Sequence, residues 1–130
     1  MADVLNIANT VAAELASYHA EMLFCPEYEL RDLEEMKVCV VPLAVQYKTL
    51  SRTTHEEVLK VQIGFLKRAS EDDLEELLPV VESLGLGFLG RKIAGAICIG
   101  VAYDPIYSPE HLRERRQFTS VIELAFKKAS

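Results

Sequence analysis

From residue 55 to 67 the chain alternates cleanly. Leu59, Val61, Ile63 and Phe65 fall on one side, and Lys60, Gln62 and Gly64 on the other. A period of two is the signature of a β-strand with one buried face. Four large apolar side chains in a row need a covering layer, and the strand's backbone needs neighbouring strands. This segment alone excludes an all-helical fold and calls for a sheet with something packed on it.

The neighbours can be read on either side. Residues 37–45 are β-branched and apolar on both faces, as in a central strand, with Pro42 demoting the second half to an edge or a bulge. Residues 24–30 fit a short edge strand and 31–36 a polar turn. Residues 96–103 form an apolar strand that Asp104-Pro105 breaks. Near the C-terminus Phe118, Ser120, Ile122, Leu124 and Phe126 alternate with Thr119, Val121, Glu123, Ala125 and Lys127.

Two helices supply the cover. Val4, Ile7, Val11, Leu15 and Tyr18 recur at helical spacing after Asp3, a suitable cap, which predicts a helix of about four turns. Ser70 caps a second start, acids follow in its electropositive first turn, and Leu74, Leu77, Leu78, Val81 and Leu84 share a face. Pro79 should kink or split that helix, and Gly85, Gly87 and Gly90 should close it. Ser108-Pro109-Glu110 begins a short helical turn. The expected fold is α+β, a mostly antiparallel sheet of about five strands with two main helices on one face, in the order α-β-β-β-α-β-β.

Length and composition bound the rest. At 130 residues the chain is expected to be one domain, and half of its residues are hydrophobic, which argues against disorder. The formal charge is −6, with no basic run longer than Arg115-Arg116 or Lys127-Lys128. That is a poor grip for phosphates or anionic membranes, although a like-charged wall lets DNA slide past. Cys25, Cys39 and Cys98 sit in apolar stretches without CxxC spacing and read as buried fillers in a reducing compartment. The N-terminus lacks a basic leader region, and the longest apolar run, 93–103, is short of the ~20 residues that cross a bilayer.

The inventory for catalysis is thin, and no cofactor or metal is expected. His19, His55 and His111 lie far apart, and none is paired with Cys or Asp at a motif spacing. Gly85, Gly87 and Gly90 match a GxGxxG pattern but follow a helix, not a strand, so the phosphate-cradling turn is missing. The acidic runs Glu27, Glu29, Asp32, Glu34, Glu35 and Glu71, Asp72, Asp73, Glu75, Glu76 read as solvated faces that hold a hard cation loosely at best. The expectation is a protein that is not an enzyme.

Two segments carry more information. Residues 46–54 join two strong strands without Gly, Pro or Asn, and bear Lys48 and Arg52 beside Thr49 and Leu50. They make either an ordinary loop or a protruding arm that touches a partner. Residues 104–122 set Arg113, Arg115 and Arg116 against an acidic chain, which suits either a subunit contact or a solvated turn. These seven residues are the candidate subunit and partner interface.

The block Lys37-Val38-Cys39-Val40-Val41-Pro42, the arm, the block 57–67 and the block 104–122 together resemble the tail terminator (minor tail protein) family of long-tailed phages and prophages. The resemblance covers most of the chain, which would make 1–130 a single tail-terminator-like domain. It implies a virion protein assembled in the host cytoplasm. It also implies a homo-oligomer, a hexameric ring that caps the tail tube, stops its polymerisation and joins it to the head connector, while DNA passes through without specific binding. Head–tail connector or neck proteins are the nearest alternative; a small ligand-binding or enzymatic domain is the alternative from another class.

Overall fold

The computed structural model describes residues 3–18, 20–22, 37–104 and 106–129. Three α-helices accompany six strands: α1 (Asp3–Glu14), β1 (Glu21–Met22), β2 (Lys37–Thr49), β3 (His55–Arg68), α2 (Leu74–Leu86), β4 (Lys92–Ile93), β5 (Ala96–Tyr103), α3 (Pro109–Arg115) and β6 (Gln117–Ala129). The strands form one mixed sheet in the order β1-β2-β3-β6-β5-β4. Only β1 with β2 runs parallel; the other pairings are antiparallel. The fold is α+β.

The alternating strand sits at the centre. β3 pairs with β2 on one side and β6 on the other, and Ile63 lies between Val40 and Ile122 in register. Leu59, Val61, Ile63 and Phe65 are at most 1% exposed. Burying each such side chain stabilises the fold by about 1.5–3 kcal/mol. Across from them stand Ile7, Ala8 and Val11 of α1, Leu15 just after it, and Leu77 and Val81 of α2, all in one core cluster.

The structure differs from the sequence reading at several points. Two short strands among the described residues, β1 and β4, were not expected; β4 and β5 form a tight hairpin closed by Ala94-Gly95, both with positive φ. A third α-helix is present, and its His111 Nδ1 bonds Thr119 Oγ1 at 2.9 Å, on the face opposite the α1/α2 core. Thus the three helices do not share one face. The first helix turns into a 3-10 segment at Ala16–Tyr18, and Asp3, expected as its cap, is itself helical. Pro79 does not split α2; it lies on the exposed side, where loss of one backbone donor leaves the buried stripe intact. Gly85 lies inside α2, which ends one residue later. The expected strand at 24–30, the turn at 31–36, Cys25 and the first acidic run lie outside the described residues, and so does His19. No helix among the described residues is long and apolar enough to cross a membrane.

Candidate functional site

Burial along β2 stops abruptly. Val38 to Val41 are buried, Pro42 is half-buried, and every residue from Leu43 to Thr49 is exposed. Yet β2 remains paired with β3 to the end: Val45 faces Leu59, Tyr47 faces Glu57, and Thr49 faces His55. A register shift between Pro42 and Ala44 marks a bulge, and Leu43 is the extra residue. Residues 46–49, read from sequence as either a loop or a protruding arm, are strand. They carry no apolar period because backbone pairing holds them without burial on either face.

The tip is built by Ser51. Its Oγ receives the N–H groups of Thr53 (3.3 Å) and Thr54 (3.1 Å) and lies 2.7 Å from Thr54 Oγ1. The N–H groups of Leu50 and Ser51 both reach the Thr54 carbonyl at 3.1 Å. A serine hydroxyl thereby replaces the Gly or Asn that a tight turn demands. β6 runs beside the hairpin as far as Ala129 opposite Glu56, so three strands support the projection. An ion pair of Lys127 with Glu56 (3.2 Å) ties β6 to the arm close to its tip.

What the arm presents is apolar and cationic. Leu43 (47%), Val45 (42%), Tyr47 (65%) and Leu50 (53%) are exposed within eight residues. The Tyr47 ring meets His55 edge to face at 5.7 Å, and His55 Nε2 lies 3.3 Å from Glu57 Oε1. Lys48 stands in register with Glu56, whose carboxylate is already paired with Lys127. Among the described residues neither Lys48 nor Arg52 forms an ion pair. Clustered exposed aliphatic and aromatic groups beside cations have the composition common to interaction surfaces.

The second basic segment lies elsewhere. Gln117, just after α3, pairs with Arg68 at the far end of β3, whereas His55 begins that strand at the arm. A strand of this length spans about 40 Å, so the two segments are separate surfaces and not one site. Arg113 is exposed and lines a cleft with Glu71, Leu74, Tyr107 and Leu112. Arg115 lies in α3. Arg116 caps that helix in the left-handed region (φ 50°, ψ 43°), and its carbonyl accepts the Ala69 N–H at 2.9 Å. Its main contribution is therefore made by the backbone.

Sequence reasoning missed the far edge of the sheet. β5 has its own bulge, between Cys98 and Gly100, and exposes Ile97 (48%) and Ile99 (52%). The near-continuous apolar run of that strand reads as fully buried, so no local signal separates these two residues from Ala96 and Cys98. Cys39 and Cys98 are buried. The second acidic run is exposed, with Asp73 accepting the Ser70 N–H at 2.9 Å. Among the described residues no three His, Cys, Asp or Glu side chains converge as metal ligands. No family model matches the chain, and no curated protein matches it significantly.

Proposed function

We propose that the protein is a self-assembling structural subunit of a long-tailed phage virion. Its role is that of a tail terminator, whose ring caps the tail tube and joins it to the head connector. The observation that carries the assembly part is the arm: a three-strand-supported projection whose Leu43, Val45, Tyr47 and Leu50 are exposed together, beside the exposed cations Lys48 and Arg52. A lone monomer has no use for so long an exposed apolar strand, which is an association liability unless a partner covers it. The virion part rests on the sequence blocks that resemble the tail-terminator family. A net charge of −6 suits a ring through which DNA passes without being held.

Purified protein imaged by negative stain, alone and mixed with tail tubes, tests the reading. Rings, or tubes capped at one end and limited in length, are the expected result. Light scattering that gives a monomer at every concentration, with tubes of unlimited length in the mixture, removes it.

A further inference from the structure

The two ends of β3 carry opposite charge. At one end the tip of the arm presents Lys48, Leu50 and Arg52, all exposed, with the aliphatic side chain between two cations. At the other end β3 leads through Ser70 into the start of α2, where Glu71, Asp72, Asp73, Glu75 and Glu76 are all exposed. Asp73 accepts the Ser70 N–H, and among the described residues none of the five acids forms an ion pair, nor does Lys48 or Arg52. Beside these acids a cleft of about 280 Å³ opens between the start of α2 and α3, lined by Glu71, Leu74, Tyr107, Pro109, Leu112 and Arg113. Leu112 is buried and Leu74 and Tyr107 are half-buried, so the depth of the cleft is apolar, while Glu71 and Arg113 are exposed at its rim.

Size and charge together say what fits. The cleft is smaller than the roughly 300–1,000 Å³ of pockets that enclose a whole small molecule, and suits one inserted side chain. Its α2 wall is acidic and its α3 wall carries Arg113, so an apolar residue flanked by cations enters in one orientation, with the cations toward α2. The arm tip of this same chain has that pattern. We propose that the tip of one copy docks in the cleft of another, Leu50 against Leu74, Tyr107 and Leu112, and Lys48 and Arg52 against Glu71 and Glu75. His55 begins β3 at the arm and Arg68 ends it beside the cleft, about 40 Å away, so no chain fills its own cleft. The contact joins two different surfaces, and each added copy brings a further arm and a further cleft. This inference rests on the reading of the chain as a self-assembling subunit and names the two surfaces that meet.

A charge swap between copies tests it. One chain carries Lys48→Glu with Arg52→Glu, the other Glu71→Lys with Glu75→Lys; all four positions are exposed, and melting curves check that both variants fold. Like charges then face each other when either variant is alone, and association should weaken by about a hundredfold or more by light scattering. Mixing the two variants restores opposite charges at every contact, and assembly should return. Should the lysines unfold the start of α2, Glu71→Gln with Glu75→Gln leaves the Ser70–Asp73 cap intact and should still weaken assembly. Wild-type assembly by the cleft variants, whatever the arm variant does, overturns the docking and leaves self-assembly standing. So does loss in both variants without recovery in the mixture. A wild-type chain that stays monomeric, with tail tubes present or absent, overturns both.

Discussion

The phenol of Tyr103 occupies the space that a side chain at Gly85 would need. Its hydroxyl donates to the Glu82 carbonyl of α2, and a β-carbon on Gly85 would lie 2.8 Å from Tyr103 Cζ and 3.2 Å from Ile122 Cδ1. β5 and α2 are thus locked at one point. Gly85→Ala is expected to destabilise the protein by about 1–3 kcal/mol through overpacking, despite the better helix propensity of Ala. Urea denaturation measures this; an unchanged midpoint would show that Tyr103 can move away freely.

Stability should fall on the alkaline side. Burial raises the Tyr103 hydroxyl above its ordinary range, with the Glu82 charge adding to it, and burial likewise raises the Cys98 thiol. Both groups are held neutral in the fold, while the unfolded chain ionises first. The unfolded state then binds fewer protons, so the stabilisation present at neutral pH is lost as pH rises past about 9–10. Denaturation midpoints between neutral and strongly alkaline pH should show this decline. The gap between wild type and Tyr103→Phe should narrow along the way.

Two residues sit in backbone conformations they do not favour. Ala94 (φ 50°) precedes Gly95 (φ 83°) in the two-residue β4–β5 turn, a geometry that prefers Asn-Gly, and Arg116 (φ 50°) occupies a helix-end position that prefers Gly. Ala94→Asn and Arg116→Gly are each expected to stabilise by about 1 kcal/mol. Thermal unfolding checks both, and Gly95→Ala should move the midpoint the other way.

Ser120 stands on the core face opposite Phe65, fully buried, and its hydroxyl has no hydrogen-bond partner among the described residues. A buried unpaired hydroxyl costs about 1–3 kcal/mol. Ser120→Ala should therefore raise stability or leave it unchanged. A loss of more than about 1 kcal/mol in chemical denaturation would mean that a partner for the hydroxyl exists.

Replacing Lys48 and Arg52 together by Ala should leave the thermal midpoint almost unchanged, because neither forms an ion pair among the described residues and both are exposed. Assembly should weaken, and more so at high salt, where the remaining steering is screened. Oligomer fraction and melting temperature measured on the same variant separate the outcomes. Unchanged assembly makes the two cations bystanders, and unfolding places the arm inside the core.

Local pattern was enough for much of this architecture. The alternation at 55–67 and 118–126 and the helical stripes of α1 and α2 are consequences of burial on one side, and burial leaves a period in the sequence. Ser70 and Ser108 mark helix starts because a side-chain oxygen there meets backbone donors otherwise unpaired. The arm was legible as a place, since a polar link without turn residues stands out between strong strands. Its form was decided only by tertiary structure. Residues 43–49 are held by backbone pairing to β3 while both faces stay in solvent, and hydrogen bonds of the main chain write no side-chain pattern. The same holds for β4, two residues long, and for Ile97 and Ile99, whose exposure follows from a bulge and from the order of strands. Whether an apolar residue faces a core or an open edge depends on what lies across from it, and that is set by contacts between segments far apart in the chain.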